Sequence, residues 1–201
     1  MKKLAVGASP KERVSFVSQA KAQKVLAACP DDEWRVIFGL ARFGGLRCPS
    51  EITPLQWSHI DWEKGEITVN CVKTKHHEGR EIRVIPLFPE LKVLLEAWRA
   101  KAPADSEWVI SRVRSNKTNL RTQLERIIEE AGLKPWPKLF QNLRSSRETE
   151  LMETFPIHVV CAWMGNTPKV AAKHYLQVTA EHFRRAVGLV QNQEPPSQGA
   201  A

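Results

Sequence analysis

The chain has 201 residues, 42% of them hydrophobic and 26% charged, so it can fold as one domain around its own core. Thirty lysine and arginine residues against 22 acidic ones give a formal net charge of +8. This charge favours a polyanionic partner, nucleic acid first and a membrane surface second, although it also serves solubility alone. No apolar run reaches the ~18 residues of a membrane span, and charged residues interrupt the short apolar segment near the start, so we predict neither a spanning helix nor an export signal.

An irregular lead-in over residues 1–17 precedes two predicted helices. Ser18 can cap the first helix, which reaches Ala28. Asp31 or Asp32 can cap the second, which carries an apolar face at helical spacing and ends at Gly44-Gly45. Arg47 follows this glycine turn, and Pro49 suits the first turn of a further helix. Arg47 is therefore predicted to lie at a helix junction, where a side chain can be held in one direction.

The middle of the chain predicts a small antiparallel sheet. Its three strands alternate apolar and polar residues and are separated by a turn at 63–65 and a loop at 73–80; they run from Trp57 to Trp62, Glu66 to Val72 and Glu81 to Ile85. In the third strand, Ile82 and Val84 alternate with Arg83, and Pro86 closes it.

The rest of the chain is predicted to be mostly helical, with a short extended segment at 108–110. Apolar spacing, glycines and prolines define helices over 89–102, 119–131, 140–152, 157–164, 168–175 and 180–190. Residues 191–201 read as a disordered tail. The predicted fold class is α+β and mainly helical, with six to eight helices around the three-stranded sheet.

The four cysteines are scattered and form no Cys-x-x-Cys pair (Cys29, Cys48, Cys71 and Cys161). In a chain that folds on its core, they predict reduced thiols in a cytoplasmic compartment. His76-His77 sit side by side in a loop without a clear set of partner ligands, so we predict no metal site and no cofactor.

Tyr175 is the only tyrosine in the chain. Its hydroxyl can act as a covalent nucleophile if its proton is removed and the charge on its target is neutralised. A lone tyrosine is by default a packed aromatic residue with a hydrated hydroxyl. Arg47 and Arg144, both placed on or beside predicted helices, are the candidates for neutralising such a target.

Four segments, taken in order, resemble the tyrosine recombinases of the phage-integrase family. Gly44-Gly45-Leu46-Arg47-Cys48-Pro49-Ser50-Glu51-Ile52 resembles the first arginine box, and Lys73-Thr74 the catalytic lysine of a β-hairpin. Gln141-Asn142-Leu143-Arg144 resembles the His-x-x-Arg box. Trp163-Met164-Gly165-Asn166-Thr167, followed by His174-Tyr175, resembles the segment that carries the nucleophile. The resemblance runs from about residue 10 to 190.

The resemblance implies a tyrosine-recombinase catalytic domain over 18–190 that cleaves and rejoins DNA through a 3′-phosphotyrosyl link at Tyr175. Arg47 and Arg144 would neutralise the phosphate oxygens through bidentate hydrogen bonds. Lys73 would protonate the leaving 5′ oxygen, and Lys75, two residues on and therefore on the same side of an extended segment, is the alternative acid. The link conserves energy, so neither ATP nor a metal is needed.

Two residues depart from the family pattern. Gln141 replaces the histidine of the His-x-x-Arg box, and Asn166 replaces the histidine or tryptophan after the glycine. Both amides can donate a hydrogen bond to a phosphate oxygen, but neither can carry a proton, so reduced cleavage is expected. His174 or His158 could substitute as a base, although His174 also fits a scaffold or phosphate contact. Further DNA contacts are expected from Lys75, His76, His77, Arg147 and His174.

The partner that the resemblance implies is double-stranded DNA, bound by a homotetramer, with a monomer free in solution. The helix over 180–190 would dock on a neighbouring copy or pack on its own domain. Because few residues precede Arg47, we expect the N-terminal DNA-gripping domain that family members carry to be absent. Two alternatives remain: a catalytically impaired DNA-binding remnant of an integrase, and a type IB topoisomerase-like enzyme that relaxes DNA.

Overall fold

The computed structural model describes residues 15–71, 82–112 and 119–174. These ranges contain seven α-helices: α1 (Gln19–Ala28), α2 (Asp32–Arg42), α3 (Pro89–Arg99), α4 (Leu120–Glu130), α5 (Leu139–Met152), α6 (Ile157–Met164) and α7 (Pro168–His174). They also contain three strands: β1 (Ile60–Asp61), β2 (Glu66–Asn70) and β3 (Ile82–Pro86). The fold class is therefore α+β and mainly helical, as predicted.

Side-chain caps set the starts of three helices. Ser18 Oγ accepts a hydrogen bond from the backbone of Lys21 at 3.4 Å before α1, and Asp31 Oδ1 accepts one from the backbone of Trp34 at 2.8 Å before α2. Asn119 caps α4 in the same way. Each cap satisfies a backbone N–H that has no partner inside its helix. The predicted cap at Ser18 is confirmed, and of the two candidates for α2, Asp31 is the cap.

Helix α2 lies at the centre of the core. Almost all of its side chains are buried, and it packs against α1, α3 and α5. Helix α4 packs against α1 and α5, and α6 packs against α5 and β3. The end of α6 is therefore close to both the sheet and the central helices, which is the arrangement that places the candidate site.

The predicted first strand is mostly wrong. Trp57–His59 form a single 3-10 turn, and only Ile60 and Asp61 pair with β2. The strand ends early because Asp61 Oδ1 accepts hydrogen bonds from the backbone of Glu63 and Lys64, which turns the chain. The sheet has the order β1-β2-β3 and is antiparallel, as predicted, and Pro86 pairs with Glu66 inside β3 rather than lying beyond it.

The predicted helix at Pro49 is replaced by consecutive turns over residues 48–54. Pro54 explains this, because a proline excludes the helical conformation from the residue before it and leaves room for only one turn. The predicted helix bounds at 157–164 are confirmed. The tail at 191–201 and the helix at 180–190 lie outside the described residues.

All four cysteines are free thiols. Within the described ranges, no helix has the length and apolar character needed to cross a membrane.

Candidate active site

The turn after α2 brings the chain against the end of α6. Gly45 has a φ of 64°, and a Cβ at this position would lie 2.7 Å from the Sδ and Cε atoms of Met164. Glycine alone combines the required backbone freedom with the required empty space. The carbonyl oxygen of Gly45 accepts a hydrogen bond from Arg144 Nη1, so this turn is linked directly to α5.

Arg47 lies directly after this turn, and its guanidinium is held on two sides. Nη1 donates to Glu51 Oε1 at 2.5 Å, and Nη2 donates to the carbonyl oxygen of Gly165 at 2.8 Å. The backbone N–H of Arg47 donates to the other carboxylate oxygen of Glu51 at 2.7 Å. The Arg47 side chain is still 19% exposed, so solvent reaches part of this oriented side chain.

Arg83 is a charged residue of the site that the sequence patterns did not reveal. Its Nη1 and Nη2 donate to the two oxygens of Glu51 at 2.8 and 2.7 Å, and its Nε donates to the carbonyl oxygen of Trp163 at 2.7 Å. A lysine could not form this planar fork. The signal that could have revealed it is Ile85, which shares the face of Arg83 in β3 and is buried. An arginine on a buried face needs a carboxylate partner.

Arg144 is the most buried of the three arginines, with 2% of its surface exposed. It donates from Nη1 to Gly45 and from Nη2 to Met164, in both cases to the backbone carbonyl oxygen. Burial lowers the pKa of Arg144 below the ordinary value for arginine, and the positive charges of Arg47 and Arg83 lower it further. The mutual repulsion of these guanidinium groups would be relieved by an anion bound among them.

The three guanidinium groups meet at the end of α6. The last carbonyl groups of a helix have no partner within the helix and carry the negative end of its dipole. Three consecutive carbonyl oxygens at this end each accept a hydrogen bond from a different arginine: Trp163 from Arg83, Met164 from Arg144 and Gly165 from Arg47. Because the arginines come from distant segments, these contacts fix the approach to α7 relative to the rest of the fold.

Glu51 is the countercharge at the centre of this cluster and is 3% exposed. Burial by itself raises the pKa of a carboxyl group. The hydrogen bonds and charge of Arg83, together with the charges of Arg47 and Arg144, outweigh burial and hold the pKa of Glu51 at about 2. Glu51 is therefore ionised at neutral pH and orients Arg47 and Arg83 together.

Gln141 and Asn166 are the residues that depart from the family pattern. Gln141 lies one helical turn before Arg144 on α5 and is exposed. Asn166 directly follows Gly165, and its Nδ2 donates to Glu148 Oε1 at 2.7 Å. One of the two N–H groups of this amide is thus already bound by the protein. Its Oδ1 has no hydrogen-bond partner in the part of the chain that the structure describes.

Arg147, for which a contact with the DNA backbone is predicted, is held by side chains of the protein. Its side chain is 7% exposed, and its guanidinium lies over the ring of Phe88, 4.2 Å from the ring centroid. Its Nη1 is 3.4 Å from Glu90 Oε1 and 3.8 Å from Glu150 Oε2. Arg147 therefore stabilises the packing of α5 against the start of α3.

Five of the predicted site residues lie outside the described ranges: Lys73, Lys75, His76, His77 and Tyr175. The roles assigned to them stay predictions. His174 is the last residue of α7, which begins just after Asn166 and Thr167. The described chain thus leads from the arginine cluster directly to the residue before Tyr175.

A pocket of about 380 Å³ opens beside the arginine cluster. Arg83, Gly165 and Asn166 contribute to its lining, as does the exposed His158 of α6. The combination of clustered guanidinium groups and an open pocket suits a small oxyanion such as a phosphate group. In the described ranges, no group of three or more His, Cys, Asp or Glu side chains could hold a metal ion.

The chain is similar to a known protein family and to several solved structures. The sequence model of the phage integrase family matches residues 15–182. Among solved structures, the fold is similar to XerA recombinase, with a TM-score of 0.71 at 17% identity, over 90% of this chain and 66% of that one. A search of curated protein sequences found no match.

Two lambda integrase structures are also similar. In a tetramer bound to a Holliday junction, the TM-score is 0.64 at 19% identity, over 87% of this chain and 51% of that one. For a dimer bound to a COC′ core site, the TM-score is 0.62 at 18% identity, over 89% of this chain and 65% of that one. At these identities the likeness shows the fold alone. The chain spans between about half and two thirds of the length of these three structures.

Proposed function

The chain belongs to the phage integrase family, and from that premise we propose that it is the catalytic domain of a site-specific DNA recombinase. The domain would span residues 18–190. The observation that supports this most strongly is the meeting of Arg47 and Arg144 at the end of α6, on the segment that leads to Tyr175. This meeting of residues that are distant along the chain supports the proposal that a phosphate group binds beside them.

In the proposed reaction, the hydroxyl oxygen of Tyr175 attacks the phosphorus atom and the bond from phosphorus to the 5′ oxygen breaks. Arg47 and Arg144 neutralise the charge that develops on the non-bridging oxygens, which is usually the largest contribution to catalysis. Lys73 donates a proton to the leaving 5′ oxygen, with Lys75 as the alternative acid. His174 or His158 could accept the tyrosine proton. Reversal of these steps rejoins the strand, so no cofactor takes part.

The proposed partner is double-stranded DNA, and the cytoplasm is the proposed location. The net charge of +8 supports a polyanionic partner. The structural neighbours include a recombinase dimer and a tetramer bound to DNA. By analogy, this chain would act as a homotetramer on DNA and be a monomer without it.

A catalytically impaired DNA-binding remnant is the second candidate, because one specific observation favours it. Asn166 holds its amide against Glu148 at the position where the family pattern has an imidazole, and an amide cannot carry a proton. Gln141 likewise has no imidazole to offer. Such a protein would bind DNA with the same arginines but would not cleave it.

A selection for covalent adducts tests the proposal and needs no defined attachment site. A random-sequence library of nicked duplexes is incubated with the protein, and adducts that survive SDS are isolated and sequenced. We expect selected duplexes that form a covalent adduct with the wild type and none with Tyr175→Phe, while both proteins bind DNA equally. Binding without any adduct supports the remnant. Relaxation of any supercoiled plasmid without sequence preference supports a topoisomerase-like activity instead.

A further inference from the structure

We infer that Glu148 is a positioning residue for strand cleavage, because its carboxylate holds the amide of Asn166 so that an N–H is directed at the phosphate between Arg47 and Arg144. This inference rests on the proposed function and assigns a role to a residue outside the segments that resemble the family motifs. Glu148 would compensate for the missing imidazole at position 166.

The position of Glu148 links it to the arginine cluster. It lies one helical turn after Arg144 on α5, and its surface is 0% exposed. Its Oε1 accepts the hydrogen bond from Asn166 Nδ2 at 2.7 Å, while its Oε2 has no hydrogen-bond partner within the described ranges. The charges of Arg144 and Arg47 act on it. Glu148 is thus a buried acid that is bound to a residue of the candidate site through one carboxylate oxygen.

A buried acid with so little hydrogen bonding is unfavourable for folding. Burial raises the pKa of Glu148, and the hydrogen bond from Asn166 and the charges of Arg144 and Arg47 only partly offset this. An apolar side chain of similar size would pack at such a position without this penalty. A residue that weakens the fold in this way is more often retained for function than for stability.

The orientation of the Asn166 amide explains how Glu148 acts. A primary amide has two donors on nitrogen and one acceptor on oxygen, and rotation by half a turn exchanges them. With the nitrogen bound to Glu148, the second N–H stays on the same side and can donate to a phosphate oxygen. Without Glu148, the amide can turn its oxygen towards the phosphate, where the partial negative charge of that oxygen and the negative charge of the phosphate repel. Glu148 therefore determines whether the nitrogen or the oxygen of the Asn166 amide faces the phosphate.

Two substitutions of Glu148 separate its hydrogen bond from its bulk and charge. Glu148→Met keeps the volume but removes the acceptor, whereas Glu148→Gln keeps an acceptor and removes the charge. The substrates are the duplexes selected by adduct formation, and the measurements are the cleavage rate at saturating protein, the Kd for the duplex and the Tm. Glu153→Met, at an exposed position just after α5, is the matched control.

We expect Glu148→Met to cleave about 10- to 100-fold more slowly than the wild type, with a similar Kd and a Tm that is not lowered. Glu148→Gln should restore most of the rate, which a purely structural role would not predict. Asn166→Ala should be slow as well, and the double variant Glu148→Met with Asn166→Ala should be no slower than Asn166→Ala alone.

Three outcomes would overturn the inference. The first is a Glu148→Met protein that cleaves at the wild-type rate. The second is a double variant whose defect is the product of the two single defects, because Glu148 would then act independently of Asn166. The third is a wild type that forms no adduct with any duplex, which overturns the proposed function as well. The first two leave the proposed function intact, so the two failures are distinguishable.

Discussion

Glu51 accepts hydrogen bonds from both Arg47 and Arg83, so one carboxylate sets the direction of two cations. The arrangement resembles a buried salt bridge, in which removal of one partner leaves an uncompensated charge. If Glu51 were removed, Arg83 would lose both of its hydrogen bonds to this carboxylate at once. The stability of the fold and the geometry of the candidate site therefore depend on the same carboxylate.

This dependence predicts a specific effect of pH. The pKa of Glu51 falls from its ordinary value of 4.5 to about 2 in the folded protein. A lowered folded-state pKa gives a stabilisation that is complete above pH 4.5 and is lost as the pH falls through about 2. Glu51→Gln is expected to lower the free energy of unfolding by about 3 kcal/mol at neutral pH, measured by urea denaturation. The deficit relative to the wild type should shrink across that acidic window.

Glu125→Gln provides the control for Glu51→Gln. Glu125 pairs with Arg121 on the exposed surface of α4, at 3.0 Å, and such a pair contributes about 0.5 kcal/mol or less. Its loss should therefore change stability little at any pH. If Glu51→Gln kept the wild-type stability at neutral pH, or showed a deficit independent of pH, the central role of Glu51 would be wrong.

The residues of the site differ in how far the sequence could predict them. Arg47 and Arg144 stand in local patterns, a glycine turn and a helical box, that can be recognised without a structure. The roles of Arg83 and Glu148 depend on partners that are distant in sequence, Glu51 and Asn166 respectively. Alternation in β3 suggested an apolar face at Ile82 and Val84, but these residues are exposed and Arg83 faces inwards. A local sequence pattern does not show which distant segment a residue will contact.

Among the elements, α6 is the one whose end organises the site. Gly165 ends it with a φ of 63°, and a Cβ there would lie 3.1 Å from Cδ of Arg83. A residue with a side chain would have to adopt a left-handed conformation and displace the arginine as well. The glycine is therefore required both by the backbone and by the close approach of β3.

Substitution of Gly165 tests this organisation. Gly165→Ala is expected to destabilise the protein by about 1 kcal/mol more than Gly132→Ala. Gly132 has a similar φ of 69°, but within the described ranges no heavy atom lies within 4 Å of the position that a Cβ would take, so it isolates the backbone contribution. Cleavage should slow only in Gly165→Ala, because Arg83 and Arg47 both contact this turn. Equal losses of stability and rate in the two variants would show that the contact with Arg83 is unimportant.

Helices and strands could be predicted from the sequence where residues at both ends of the segment mark its bounds. Helix α6 begins after Pro156 and ends at Gly165, and its bounds follow from these two residues and its apolar content. The segment from Trp57 to Trp62 has the composition of a strand, but the contacts of Asp61 with the following backbone turn the chain after two paired residues. Side-chain competition for backbone groups is difficult to predict from propensity alone.

At the scale of the whole molecule, the positively charged side chains differ in what they do. Three arginines of the candidate site are held by Glu51 and by the carbonyl oxygens at the end of α6, so they serve orientation as much as net charge. Fold class followed from the pattern of helices around three short strands, because each element buries its own apolar face. The meeting of Arg47, Arg83 and Arg144 did not follow from that pattern, since it depends on how the elements pack.

The net charge of +8 should make the proposed binding to DNA depend on salt. Each phosphate neutralised by the protein releases a counterion, so affinity should fall by about 10³- to 10⁵-fold between roughly 50 and 200 mM salt if six to ten phosphates are contacted. Fluorescence anisotropy with a labelled duplex measures this slope.

Arg47→Ala should reduce the slope by about one phosphate contact. Tyr175→Phe keeps the charge and should keep the slope while it abolishes the adduct, so binding and chemistry separate. An affinity that does not change with salt would contradict a DNA partner, because no other contact could replace the phosphates as the source of attraction for so basic a chain.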